Sequence, residues 1–167
     1  GGVNFVDGEP KEFFKSPIAI HDERRLRFEL GDCKGQQTCG VLSVFVALRV
    51  WRKLWVPART ALALQGDNVA ALTLALNMET QIRDTGGMES IARGVAMGFS
   101  RSSVMPSIGT HFSGIANVLA YDLSRYFEPG APQQGKHPDV LKAIEHSVVP
   151  MRAPDYYPVP SCVRSRK

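Results

Sequence analysis

Residues 108–126, IGTHFSGIANVLAYDLSRY, join an extended segment to a patterned helix, and the reading of the whole chain turns on that pair. Ser113 and Gly114 interrupt the strand, Asn117 stands where it caps or braces the turn, and Val118, Leu119 and Leu123 recur at roughly helical spacing. The stretch reads as strand, turn, helix.

Upstream, TCGVLSVFVALRVWRKLW from Thr38 distributes Leu42, Phe45, Val46, Arg49 and Trp51 around a helix that is apolar over most of its surface, with Thr38 as its cap. Val56-Pro57 is expected to end this core helix. TALALQGDN then alternates as a small-residue strand over Thr60 to Gln65, ending at Asp67-Asn68, and VAALTLALNM resumes helical spacing through Val69, Leu72 and Leu76. After the Thr85-Gly86-Gly87 turn, MESIARGVAMGF carries Ile91, Val95 and Phe99 on one side of a further helix. Gly94 and Gly98 permit close packing there, and Met88 and Met97 are expected as core filler.

At the start of the chain, Asp7-Gly8 between the apolar runs Val3–Val6 and Phe13-Phe14 is a hairpin signal, so the first two strands are expected to be antiparallel. The following HDERRLRFELGDCKGQQ is polar, and its alternating Leu26, Phe28 and Leu30 suggest a short edge strand. After Phe127 the composition shifts to Pro, Gly, Gln and Tyr. One short helix is expected over Pro138 to His146, and the rest reads as an extended Pro-rich arm without a core of its own. Tyr156 and Tyr157 within it either dock on a partner or wrap the arm onto its own domain.

The 167 residues, 44% of them apolar, suffice for one sizeable core. A net charge of +4 and a pI near 9.1 suit either a polyanionic partner or an ordinary solvated face, since the basic residues are dispersed apart from Arg24, Arg25 and Arg27 and the closing Arg164, Arg166 and Lys167. Cys33, Cys39 and Cys162 form neither an even disulfide framework nor a zinc-ligand spacing, which points to a reducing, intracellular compartment. No run approaches the roughly 18 apolar residues of a membrane span, and no signal peptide is visible.

Taken together, these stretches resemble the ribonuclease H domain attached to retroelement reverse transcriptases. In that family a strand carrying His, a Gly turn and an Asn lead into a helix reading Ala-Asp-x-Leu-Ser-Arg. His111, Gly114, Asn117, Ala120, Leu123, Ser124 and Arg125 match, and Tyr121 stands where the family has its Asp. Val46, Ala47 and Leu48 match the family's Glu-x-x-x-x-x-Val-Ala-Leu helix, with Gly40 in the place of Glu, and Asp67 matches the metal-binding Asp after the fourth strand. Taken alone, an Asp between a strand and a helix is more often a structural cap.

The resemblance covers Gly1 to Glu128 and implies an α/β mixed sheet of ribonuclease H-like fold, truncated at its N-terminus, followed by the Pro-rich arm over 129–167. The family sheet is ordered 3-2-1-4-5, and by this register the sequence begins after the first strand, which is the central one and bears a catalytic Asp. The hairpin and the next strand would then each show an open edge, at a loss of about 1 kcal/mol net per missing hydrogen bond. An upstream segment, a partner's strand added in trans or a rearranged sheet is expected to fill the gap.

Family enzymes cut the RNA strand of RNA–DNA hybrids with two Mg²⁺ ions roughly 4 Å apart, which requires several converging carboxylates. Of the family's four, this sequence retains Asp67. Asp122 adjoins the last position, but one residue along a helix turns its side chain by about 100°. Gly114 occupies the position of the product-release His, and His111, in the strand, is expected to be packed. Losing groups that act as a unit lowers turnover by orders of magnitude.

The expectation is therefore a catalytically inactive domain with no cofactor, serving as a structural or interaction subunit among other proteins. The alternative is a Mg²⁺-dependent nuclease on RNA–DNA hybrids whose first Asp comes from outside this sequence and whose site is rebuilt from Asp67 and Asp122. A nucleic-acid-binding module without chemistry ranks third, since the basic residues are dispersed.

Overall fold

A computed structural model describes residues 1–58, 61–69, 72–73, 87–102, 106–111 and 117–157. The protein is a mixed α/β structure built on one long helix. Strands β1 (Gly2–Val6) and β2 (Glu9–Phe14) form the expected antiparallel hairpin. Asp7 and Gly8 both take positive φ, 53° and 82°, the mirror-image turn whose twist matches that of paired strands. Consecutive residues of a strand point to opposite faces, so Phe13 and Phe14 are buried in different cores. Phe14 meets Trp51, with ring centroids 5.2 Å apart, and Phe13 packs with Leu123 and Leu141.

No strand forms where Leu26, Phe28 and Leu30 alternate: helix α1 (Ile20–Leu26) ends at the first of them and the chain then turns. The Asp22 carboxylate accepts the Ala19 N–H at 2.9 Å and starts the helix, and Arg27 closes it in the left-handed region at φ 55°. Leu26 and Phe28 are buried, as alternation suggested, but Leu30 is exposed. Helix α2 (Cys33–Ala58) begins more than a turn before Thr38, which is an interior, buried residue and not the cap. Asp32 serves the start instead: its side chain accepts the Gly35 N–H and its carbonyl the Gln36 N–H. At the far end the helix runs one residue beyond Pro57, where the chain was expected to leave it.

Strand β3 (Leu62–Gly66) pairs in parallel with β4 (Pro106–His111), and α3 (Gly87–Ser102) lies against α2. Ile91, Val95 and Phe99 are each 0% exposed, as their spacing predicts, whereas Met97 is 37% exposed and is not core filler. Of the expected helix after Asn68, residues 69, 72 and 73 are described, and Leu72 N–H donates to the Asn68 carbonyl at 3.1 Å; residues 70, 71 and 74–86 lie outside the described residues. So do Ser113 and Gly114. Helix α4 (Val118–Arg125) follows Asn117, which caps it through its backbone carbonyl, accepting from Tyr121 N–H at 2.9 Å, and not through its side chain.

The short helix expected over Pro138 to His146 stops early: α5 spans Asp139–Lys142, and Glu145–His146 form strand β5, parallel to β2. Pairing with the exposed side of β2 draws these two residues into a ladder that their helical spacing did not foretell, and Ser147 N–H extends it by donating to Phe13 carbonyl at 2.8 Å. Among the described residues there are thus two sheets, β1-β2-β5 and β3-β4. β5 joins the side of the hairpin away from β1, and among the described residues no strand pairs with the other edge of β1 or of β3. No described helix is long and apolar enough to cross a membrane.

From β5 to Tyr157 the arm wraps its own domain. Tyr156 and Tyr157 are buried with the α2 core, Tyr156 edge-on to Phe45 at 5.7 Å. A buried ion pair fastens them: Arg152 Nη2 lies 2.6 Å from Asp22 Oδ2, Arg152 also reaches Ser16 and the Pro17 carbonyl, and the Tyr157 hydroxyl donates to Asp22. Burial alone would raise the Asp22 pKa, but the hydrogen bonds from Arg152, Tyr157 and Ala19 outweigh it and hold the carboxyl below its ordinary range. Burial and the donation to Asp22 push the Tyr157 hydroxyl up.

Arg152→Met leaves this carboxylate buried and uncompensated, which is expected to cost about 3–5 kcal/mol in denaturant unfolding at neutral pH. A folded-state carboxyl held low contributes its stability above the ordinary value of 3.8 and loses it as pH falls through the depressed folded value. The gap between the native chain and Arg152→Met should accordingly shrink when unfolding is repeated at about pH 2.

Candidate functional site

Parallel strands end together, and the cleft beyond their carboxyl ends is where open α/β sheets place their chemistry. The register of β3 and β4 sets Gly66 beside His111, so Asp67, the next residue, and His111 lie at the same end of this sheet. Both are exposed. His111 is therefore not the packed strand residue that the sequence suggested: it is the last residue of β4, where the strand leaves the cover of the core.

Asn68 anchors this end of the sheet to α2. Its side-chain amide donates to the Gln36 carbonyl at 3.2 Å, and one turn further along the same helix Gly40 faces it. A Cβ on Gly40 would stand 2.3 Å from Asn68 Nδ2, 2.6 Å from its Cγ and 2.9 Å from its Cβ. No side chain of any kind fits there while Asn68 keeps its place. Glycine in this helix costs up to about 1 kcal/mol of propensity relative to alanine. The close approach of the β3 end accounts for it.

The two remaining positions lie on α4. Leu123 of that helix is buried against Phe13, which turns the neighbouring residues toward the periphery. Tyr121 is 41% exposed, with the Arg125 guanidinium 5.4 Å from its ring centroid. Asp122 is half-buried. Among the described residues, no three His, Cys, Asp or Glu side chains converge as metal ligands would.

Among the described residues, the side chains that the resemblance assigns to a pair of Mg²⁺ ions do not converge as such a pair requires. Hard cations at short separation need several anionic oxygens aimed at one point. Here Asp67 is an exposed carboxylate, and the helix position facing its neighbour Asn68 has no room for a side chain.

Sequence patterns located Asp67 and Gly40 but missed Asn68 as the residue that joins them. The Asp-Asn pair after a strand was the available signal, since an amide at a strand end often binds a neighbouring backbone. The Asp22–Arg152–Tyr157 network was also missed, because its members are 130 and 135 residues apart along the chain.

The architecture and site thus define a mixed α/β protein with an exposed acidic strand end braced on a central helix. No family model, curated protein or solved structure matches the chain.

Gly40→Ala forces a methyl group into the Asn68 side chain, and overpacking of this kind typically costs about 1–3 kcal/mol, more than the propensity it recovers. A lowered midpoint in denaturant unfolding is the expected result. Adding Asn68→Gly removes the clashing atoms and should recover part of the loss.

Proposed function

We propose that the chain is a retroelement-derived ribonuclease H-like domain that has lost catalysis and acts as a structural or interaction subunit of a larger assembly. The observation that carries this reading is the contact of Gly40 with Asn68. The resemblance puts a metal-binding Glu at that helix position, directed at the end of the strand that carries Asp67. Gly40 adjoins Asn68, the residue after Asp67, and that closeness supports the reading, since the space a carboxylate would need is occupied. Reversal by one substitution is sterically blocked, which fits a domain kept for its shape.

The pairing of the strands also supports an assembly role. β1 is hydrogen-bonded to β2 on one side and β3 to β4 on one side, and both strands lie over α2. Among the described residues no strand pairs with the other edge of either. Open backbone edges recruit extended segments, and an extended segment of a partner protein laid between β1 and β3 would make one continuous sheet. The ribonuclease H resemblance places its central strand there.

The test has two parts. Incubated with an RNA–DNA hybrid and Mg²⁺, the chain is expected to leave the RNA intact, and Asp67→Asn to behave identically. Mg²⁺-dependent cleavage abolished by Asp67→Asn would instead establish the hybrid nuclease, with Asp122 and a carboxylate from outside this sequence completing the site. Cross-linking of the native complex is expected to join residues flanking β1 and β3 to one partner segment. A monomer from native source with both edges paired by its own residues would end the assembly reading.

A further inference from the structure

The arm is held to the hairpin at a second place, chemically unlike the Asp22–Arg152 pair. Lys15, just after β2, directs its ammonium at His137, with Nζ 2.7 Å from Nε2. The same ammonium lies 3.5 Å from the centroid of the Tyr126 ring. His137 stacks on Tyr126 at 4.7 Å and meets Phe13 edge-on at 5.4 Å, and His146 of β5 packs on Phe13 at 5.0 Å. One basic cluster therefore binds β2, the residues after α4, and the arm on either side of α5.

A lysine ammonium only donates, so Nε2 of His137 accepts in this pair and the neutral ring carries its proton on Nδ1. Nδ1 is buried with no hydrogen-bond partner among the described residues. Protonation would turn Nε2 into a donor facing another donor and set two cations at hydrogen-bond distance. The charged groups that act on the ring from the packed elements are Lys15, His146 and Lys142, all of one sign, and Tyr126 presents only its ring face. Lys142 is itself paired with Asp139, at 2.7 Å on the exposed side of α5.

We infer that Lys15 and His137 form a proton-sensitive clasp, closed at neutral pH and opened by mild acidification, that governs whether α5 and β5 stay docked on the hairpin. Burial first, and then the neighbouring Lys15, hold the ring below the ordinary histidine value of 6.5. With the folded value depressed, the clasp is at full strength above 6.5 and weakens as pH falls from there through the folded value. The Asp22–Arg152 pair keeps its charge throughout this range, so opening is confined to the α5–β5 segment.

Hydrogen exchange on the full chain tests this. The Ser147 amide, which donates to Phe13 carbonyl, reports docking of the arm. After correction for intrinsic rates, its protection is expected to fall several-fold between about pH 7.5 and about pH 5.5, the window in which only histidine side chains ordinarily change charge. In His137→Gln, which keeps an acceptor near Lys15 and removes the titration, protection is expected to be flat. Constant protection in the native chain overturns the clasp, as does an equal fall in His137→Gln, which would pass the effect to His146. Should His137→Gln fail to fold, the ring titration of His137 by NMR decides: a midpoint below 6.5 that rises in Lys15→Met is expected, and one at or above 6.5 overturns the inference.

Discussion

Everything in this structure depends on helix α2 being buried on more than one side. Val41, Leu42, Phe45, Val46, Leu48, Trp51 and Trp55 are all in its core cluster, and that set spans most of the helix circumference. The hairpin reaches the cluster through Phe14, β3 through Leu62 and Leu64, α3 through Ile91, Val95 and Phe99, and the arm through Tyr156 and Tyr157. A fully buried side chain of this kind is worth about 1.5–3 kcal/mol. Two sheets that share no described backbone hydrogen bond are held in one body because each is pressed on the same helix. The tryptophans add direction to this packing: Trp55 Nε1 donates to the buried Asn4 of β1 at 3.3 Å, and Trp51 Nε1 to Ser147 of the arm at 3.0 Å.

The hairpin has a second apolar face, and that face explains the arm. Phe13 is buried with Leu123 of α4 and Leu141 of α5, so the residues after α4 are bound to the sheet on the side opposite α2. From there the chain crosses the edge of β2 as β5 and returns to the α2 side, where Asp22 and Arg152 receive it. A buried ion pair is a poor source of net stability but an effective device for register, because a misplaced partner leaves an unpaired charge. The arm depends on apolar contacts for its affinity and on that pair for its position.

At the end of β3 the same closeness sets the chemistry. Asn68 must come near α2 to reach the Gln36 carbonyl, and glycine at position 40 is what permits it. Packing against Asn68 has taken the volume that a side chain at position 40 would need. Asp67 remains at the strand end as an exposed acid, with room for solvent and for capping of the chain that follows.

Much of the local structure was legible in the sequence because it follows from short-range rules. Asp7-Gly8 determined the hairpin, the spacing of Ile91, Val95 and Phe99 determined the buried stripe of α3, and the apolar circumference of residues 41–55 marked the central helix. Residues 26–30 misled because alternation over so few positions is weak beside a helix started by the Asp22 carboxylate. Residues 138–146 misled because β2 offered hydrogen bonds that Glu145 and His146 could not make in a helix. Of the site, the sequence by itself determined which residues stand at positions 40, 67, 121 and 122. Only the tertiary structure decided that Gly40 is there for Asn68, that His111 is exposed, and that Arg152 belongs with Asp22. These are contacts between segments remote along the chain, and no local pattern encodes the distance at which two such segments will meet.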